Sequence, residues 1–323
     1  MTKRYLKLKN NCIICNNKLN SKNILTRDKT KKKLFYCTKC DLSFFKYNPI
    51  KHLSKKNLDE SRLKYDGLKL EKRKIDFKNG VNQSKKYFSE YLKNENKKKK
   101  ILEIGSSWGY FLYLCKKKNF NVTGIEINKE KRDFIKRKLN ISCFENIELI
   151  KNQKFDYIFL FYVIEYIPNI KEFFSKIYNM LEKNGQIILI TPNLNDPIKT
   201  IWKNKNYLNF FYEKNAINYF SIKSLKKLFT LLQIKNVKIF CKQEYSFFNS
   251  IDWFLHNRPH PSKIVGGDLI TENLIKEINL KFSKYKKFKK IFTGKIRGID
   301  KLFKTFCKKT DFGNQILAII KKK

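Results

Sequence analysis

Cys12 and Cys15 form one CxxC pair, Cys37 and Cys40 a second, with 21 residues between them. Each pair presents two thiolates from a single turn, and two such knuckles complete a tetrahedral set that suits zinc. Four cysteine ligands leave no open position, so a metal there would hold structure rather than do chemistry. A different chemistry is offered by Glu103, Gly105, Ser106 and Gly109, which follow or end the apolar run Ile101–Ile104. A strand that delivers its chain into a glycine turn ahead of a helix presents N–H groups and the positive end of the helix dipole. Nicotinamide dinucleotides favour GxGxxG at such a turn. Here the pattern is ExGxxxG, and an acid beside the turn is unwelcome to a pyrophosphate. A cofactor with an amino group and no phosphates suits it better. Glu126 closes the next apolar run 23 residues after Glu103. That is close to the offset of about 20 residues at which a Rossmann-like fold places a carboxylate on ribose hydroxyls.

These groups need a sheet to hold them. From residue 101 onward apolar runs alternate with helical patterns, which implies a parallel sheet with crossover helices. The expected fold is α/β: a Rossmann-like, seven-stranded, mostly parallel sheet with helices on both faces. A small N-terminal zinc ribbon and a helical insertion before the last strand complete it. The divisions are residues 1–50 for the ribbon, 51–98 for a helical linker and 99–241 for the core. Residues 242–312 form the insertion that caps the acceptor, and 313–323 the final antiparallel strand. Between the knuckles, Leu34-Phe35-Tyr36 reads as part of a β-hairpin. Leu181-Glu182-Lys183 reads as a helix end before an Asn184-Gly185 turn and the fifth strand. The aromatic stretch 194–220 reads as packing of a lid, and Ser221 as the N-cap of an amphipathic helix.

Several segments resemble motifs of class I S-adenosylmethionine (SAM) methyltransferases. The ExGxxxG turn is similar to the family's first motif, with Ser107 where the family has a further glycine. Phe155-Asp156-Tyr157 through Val163-Ile164-Glu165-Tyr166-Ile167-Pro168 resembles its FDxIxxxxVLEHxP motif, with Tyr166 in place of histidine. Leu181–Gly185 resembles the LKPGG turn, with Asn184 for proline, and Phe220–Phe229 the FSxxSLxxLL segment, whose upstream histidine is absent. The resemblance implies that SAM is held by Glu103, Gly105, Ser106, Gly109, Glu126, Ile127, Asn146, Phe161 and Tyr162. Glu126 would take the ribose hydroxyls, and the loop at Glu145-Asn146 would meet the adenine. Residues 244–261 resemble an insertion in bacterial methyltransferases that carry an N-terminal zinc ribbon and are encoded near surface-polysaccharide genes. That implies a small-molecule acceptor, a nucleotide-linked sugar or polysaccharide component. Glu165 and Tyr166 are then the place to look for a base, with His256 or His260 as further proton acceptors.

The formal charge is +44, from 72 Lys and Arg against 28 acids, which invites a nucleic-acid reading. Only eight of the 72 are arginine, the residue whose bidentate fork phosphate and base readers favour. A lysine-rich composition with solvated faces is the plainer account. An RNA methyltransferase that grips a phosphate backbone through ribbon and surface remains the first alternative, and a SAM-fold binding protein without catalysis the second. No NPPY-type motif follows the fourth strand, which counts against adenine-N6 chemistry. The apolar run Ile158–Ile164 is too short to cross a bilayer. The lysine-rich start lacks an apolar leader, so the expected location is cytoplasmic. Lys284–Phe292 could rest on an anionic membrane surface, although a solvated helix face is the simpler reading.

Overall fold

A computed structural model of the chain describes residues 11–46, 77–96, 98–256, 269–281 and 285–323. The N-terminal part is a meander of β1 (Asn20–Leu25), β2 (Lys31–Cys37) and β3 (Leu42–Phe45), each antiparallel to the next. Helix α1 (Phe77–Tyr91) follows, the one helix of the expected linker that falls within the described residues. Strand–helix alternation then begins with β4 (Lys100–Ile104), α2 (Tyr110–Lys117), β5 (Asn121–Ile125), α3 (Lys129–Leu139) and β6 (Ser142–Phe144). It continues with β7 (Phe155–Phe161), α4 (Ile170–Asn179) and β8 (Leu181–Pro192). Two short helices, α5 (Pro197–Thr200) and α6 (Lys205–Phe211), precede β9 (Asn218–Phe220), α7 (Ile222–Leu231) and β10 (Val237–Lys242). The insertion supplies α8 (Phe247–His256), α9 (Leu269–Lys281) and α10 (Lys286–Thr310) before β11 (Gln315–Lys321).

The main sheet runs β10-β11-β8-β7-β4-β5-β6. Strand β11 is antiparallel to both neighbours, and the remaining pairs are parallel. Unbroken apolar strands make sense because helices cover both faces. Alternate residues serve opposite layers: Leu102, Ile104, Ile158 and Leu160 join one core, Ile101, Tyr157 and Phe159 the other. From β4 the order proceeds one way to β5 and β6, and from β7 the other way to β8. The reversal therefore lies between the carboxyl ends of β4 and β7, where open α/β sheets form their ligand crevice.

Two local readings change. Leu181 begins β8 opposite Phe155 instead of ending a helix, and the register shifts before Tyr157. Asn184 adopts φ 65° there, and a Cβ on Gly185 would sit 2.9 Å from the Glu182 carbonyl, so the turn is a kink inside the strand. The ribbon is also more than a hairpin. Its sheet continues from β3 into β9, through Leu42 opposite Phe220 and Ser43 opposite Tyr219. All four β3 side chains are buried in consequence. The aromatic stretch packs a third core in which Tyr207, Phe211, Tyr212 and Tyr219 meet Leu34 and Phe45 of the ribbon and Trp253 of α8. Ser221 caps α7 as expected, its hydroxyl accepting from Ser224 N–H at 3.1 Å.

Candidate active site

The turn after β4 is held in an unusual conformation. Gly105, Ser107 and Gly109 take φ of 78°, 49° and 76°, the left-handed region that L side chains avoid. The glycine that the family pattern places at 107 is thus a conformational requirement that Ser107 meets under strain. Gly105 has a second reason to lack a side chain: a Cβ would lie 2.6 Å from Val163 Cγ2, in the segment that follows β7. The carboxyl ends of the two switch-point strands therefore touch. Gly105 N–H and Ser106 N–H donate to the Ile125 carbonyl at 2.8 and 3.0 Å. The Ser106 hydroxyl turns inward to the Glu103 carbonyl at 2.9 Å, so this side chain shapes the turn.

Glu126 reaches from the end of β5 across to the turn. Its two carboxylate oxygens accept from Ser107 N–H and Asn128 N–H, each at 2.8 Å. Glu103 is buried, is bonded by the Leu112 N–H, and is pushed well above the usual carboxylate range by burial and by the charge of Glu126. Its Oε2 is buried with no hydrogen-bond partner. An orphaned acceptor in an acid already disfavoured as an anion is costly; an ammonium group arriving there would satisfy it. The residues present therefore fit a cofactor that brings an amino group and ribose hydroxyls. Ile127 is exposed beside Glu126. Asn146 is exposed too, its side chain capping the next turn by accepting from Glu148 N–H at 3.0 Å.

Across the crevice, Tyr162 follows β7 at φ 58°, a strained setting for a bulky residue and one that clusters at functional sites. Phe161 stacks on Tyr87 of α1 at 4.4 Å between ring centroids. Gln315, at the start of β11, donates through Nε2 to the Tyr162 hydroxyl and to Glu244, which also pairs with Lys86. Gln315 is 3% exposed, and its Oε1 has no partner. Glu165 is buried nearby, accepting from the Thr191 hydroxyl at 3.1 Å, and burial pushes its carboxyl from 4.5 to about 8. The Tyr166 hydroxyl donates to Glu213 at 2.8 Å, and Glu213 pairs with Arg27 of the ribbon at 2.6 Å.

His256 ends α8 with its imidazole exposed, 3.1 Å from Asp252. His260 lies outside the described residues. Tyr87, Glu244 and Gln315 were not among the site residues expected from the sequence. Tyr87 reads there only as helix pattern, Glu244 only as the first residue of the 244–261 stretch, and nothing local marks Gln315. The four ribbon cysteines do converge, their sulfurs within 4.8 Å of one another and Cys15 and Cys37 at 3.6 Å. A tetrahedron with bonds of about 2.3 Å has edges of about 3.8 Å, so the set fits zinc. Ile14 N–H and Cys40 N–H point at the Cys12 and Cys37 sulfurs, each at 3.4 Å.

Residues 79–239, which contain the glycine turn, both acids and the β7 segment, match the profile of a methyltransferase domain family. That segment is a methyltransferase domain. A search of curated proteins finds no match. Among solved structures, a SAM-dependent methyltransferase from Archaeoglobus fulgidus is 20% identical, over 76% of this chain and 94% of its own, with a TM-score of 0.46. A SAM-dependent methyltransferase from Thermotoga maritima, described as a possible histamine N-methyltransferase, is 14% identical over 84% and 99%, also at 0.46. The plantazolicin methyltransferase BamL, solved with S-adenosylhomocysteine (SAH), is 14% identical over 82% and 90%, at 0.44.

Proposed function

We propose that this methyltransferase acts on a hydroxyl-rich small molecule, a nucleotide-linked sugar or a polysaccharide component. The observation that carries this reading is the buried, unpartnered Oε1 of Gln315 beside the Tyr162 hydroxyl and Glu244. A dense set of amide, phenol and carboxylate groups at the crevice suits an acceptor with several hydroxyls, one of which would donate to Gln315. The lysine-rich surface is compatible with a diphosphate-bearing acceptor.

The chemistry SAM supplies when bound is a sulfonium methyl open to in-line displacement. In this reading Glu103 takes the cofactor's amino group and Glu126 its ribose hydroxyls, while Gly105 and Gly109 let the backbone approach. Ile127, Asn146 and Phe161 would flank the adenine and the ring system. Glu165 holds a proton near neutral pH and becomes a base as pH rises toward 8. Tyr166, committed to Glu213, serves to fix the loop that carries Glu165. Cys12, Cys15, Cys37 and Cys40 would hold a structural zinc.

Incubation of the purified protein with methyl-labelled SAM and separate pools of nucleotide sugars and tRNA tests the reading. Label should appear in the sugar pool. Label in RNA alone would overturn the acceptor class, and absence of SAH binding by calorimetry would overturn the cofactor site.

A further inference from the structure

Glu103 and Glu126 are close enough for the charge of one to act on the other, yet the fold supplies them unequally. Each Glu126 oxygen accepts an N–H at 2.8 Å, from Ser107 and from Asn128. Glu103 is buried, has the Leu112 N–H alone, and leaves Oε2 without a partner. Two carboxylates that share a buried site resist ionising together, and N–H donors favour the ionised form of the one they reach. The negative charge therefore rests on Glu126 and the proton on Glu103.

The groups packed around Glu103 do not reverse this. Gly124 of β5 and Phe159 of β7 lie beside it in the sheet and carry no charge. The Cys115 thiol of α2 and the Cys143 thiol of β6 are pushed up by burial, Cys143 to about 12, so both stay neutral. Arg132 of α3 donates to the Glu126 and Ile127 carbonyls at 2.8 and 3.1 Å and pairs with Glu145 at 3.6 Å. Lys136 of the same helix lies 5.9 Å over the Phe144 ring. Burial and the Glu126 charge accordingly hold the Glu103 carboxyl well above the usual carboxylate range.

We propose that Glu103 carries a proton in the free protein and releases it to solvent when the ammonium group of SAM or SAH docks on its carboxylate. This rests on the reading that Glu103 takes the cofactor's amino group. The charges balance: a neutral acid and an ammonium give a carboxylate–ammonium pair and one proton in solution. Away from water that pair is stronger than a neutral acid accepting from the ammonium. Because a proton is a product, cofactor affinity rises with pH, by up to about tenfold per unit, and levels off once Glu103 is ionised in the free protein.

Isothermal titration calorimetry of the full chain with SAH at pH 6.5, repeated in buffers of different ionisation enthalpy, counts the protons exchanged. An α-amino group is protonated at that pH, so a released proton comes from the protein. SAH should release about one proton. The nucleoside 5′-methylthioadenosine, which has the ribose but no ammonium, should release about none, and this comparison decides on the wild type alone. Glu103→Gln imitates the protonated acid and should keep its melting midpoint at pH 6.5. It should bind SAH without proton release, with an affinity that is flat from pH 6 to 8 and about tenfold or more below wild type at pH 8. SAH binding with no proton exchange overturns the proposal, as does a release that persists in the variant or is equal for 5′-methylthioadenosine. Failure of SAH to bind at all is a distinct result, which removes the cofactor reading and the proposal with it.

Discussion

Replacing Glu165 with Gln should change how stability responds to pH. Glu165 is 4% exposed, and burial raises its carboxyl from 4.5 to about 8. The folded protein therefore keeps this proton through neutrality, whereas the unfolded chain has released it. Unfolding releases one proton across that window, so stability is greatest at the acid end and falls as pH climbs to about 8. Beyond that point both states are ionised and the contribution is constant. One proton corresponds to about 1.4 kcal/mol per pH unit, so the whole window has a ceiling of about 5 kcal/mol. Glutamine keeps the size and can still accept from the Thr191 hydroxyl, which now lies 3.1 Å from Oε2, but it cannot ionise. Urea unfolding from pH 5 to 9 should show the variant close to wild type at pH 5 and more stable by a few kcal/mol at pH 8. Activity should move the other way. With a pKa of about 8, roughly a tenth of Glu165 is ionised at pH 7, so methyl transfer should rise about tenfold to a plateau that the variant lacks. Stability curves that run parallel across the range would refute the burial argument. A rising limb that survives in the variant would remove Glu165 as the base.

At the glycine turn, Ser107→Gly should stabilise the protein by up to about 1 kcal/mol in thermal melts, because it relieves a left-handed L residue. Gly105→Ala should destabilise it instead, since φ is 78° and the new Cβ would meet Val163 at 2.6 Å. Glu126→Ala removes the acceptor for two N–H groups held at 2.8 Å and should weaken SAH binding by about tenfold or more in calorimetry; unchanged affinity would exclude a ribose contact. Elemental analysis should find one zinc per chain, and Cys37→Ser should lose it together with several degrees of melting temperature. The Arg27–Glu213 pair has side chains only 13% and 25% exposed, so Arg27→Ala should cost about 2–4 kcal/mol by leaving Glu213 uncompensated. Arg27→Lys should rescue only part of this, since Arg27 also donates from Nε to the Phe210 carbonyl at 2.8 Å and lies 4.1 Å over the Phe210 ring.

The sheet was readable because its strands are covered on both faces. Ile158-Phe159-Leu160 and Ile187-Ile188-Leu189-Ile190, all fully buried or nearly so, stand in the sequence as apolar runs with helical patterns between them. Glu103 and Glu126 were readable by spacing, because a strand–helix–strand unit sets the distance from one carboxyl end to the next. Strand β9 was not. Three residues carry no period, and its partner β3 lies more than 170 positions away. The start of β8 was masked for a related reason: Leu181-Glu182-Lys183 has no strand alternation, and pairing with Phe155 overrides its local preference. Tyr87, Glu244 and Gln315 come from three elements that converge only in the folded chain. An unpartnered amide oxygen such as that of Gln315 exists only in three dimensions. Ser107 is intermediate: the departure from glycine was visible, but its positive φ was not.

Strand β9 has a mechanical consequence for the site. It pairs with β3 of the ribbon, and Phe220 bridges to Asn193 just past the end of β8. The same segment grips the loop that carries Glu165: Ile217 N–H donates to the Glu165 carbonyl at 2.7 Å, and Asn218 Nδ2 donates to the Ile167 carbonyl at 2.7 Å. Beside Cys40, the Asp41 carbonyl accepts from the Ser221 hydroxyl that caps α7, at 2.8 Å, and its carboxylate accepts from Asn195 at 2.9 Å. From the opposite end of the ribbon, Arg27 reaches Glu213 and through it Tyr166. The second cysteine knuckle and the β1–β2 turn are thus both fastened to the wall behind Glu165. A metal that fixes the knuckles would act on that wall through β3 and β9 without touching the glycine turn. Loss of the metal should therefore lower turnover more than SAH affinity, the reverse of what a variant at Glu126 should do. On that reading the ribbon would serve the acceptor side of the enzyme.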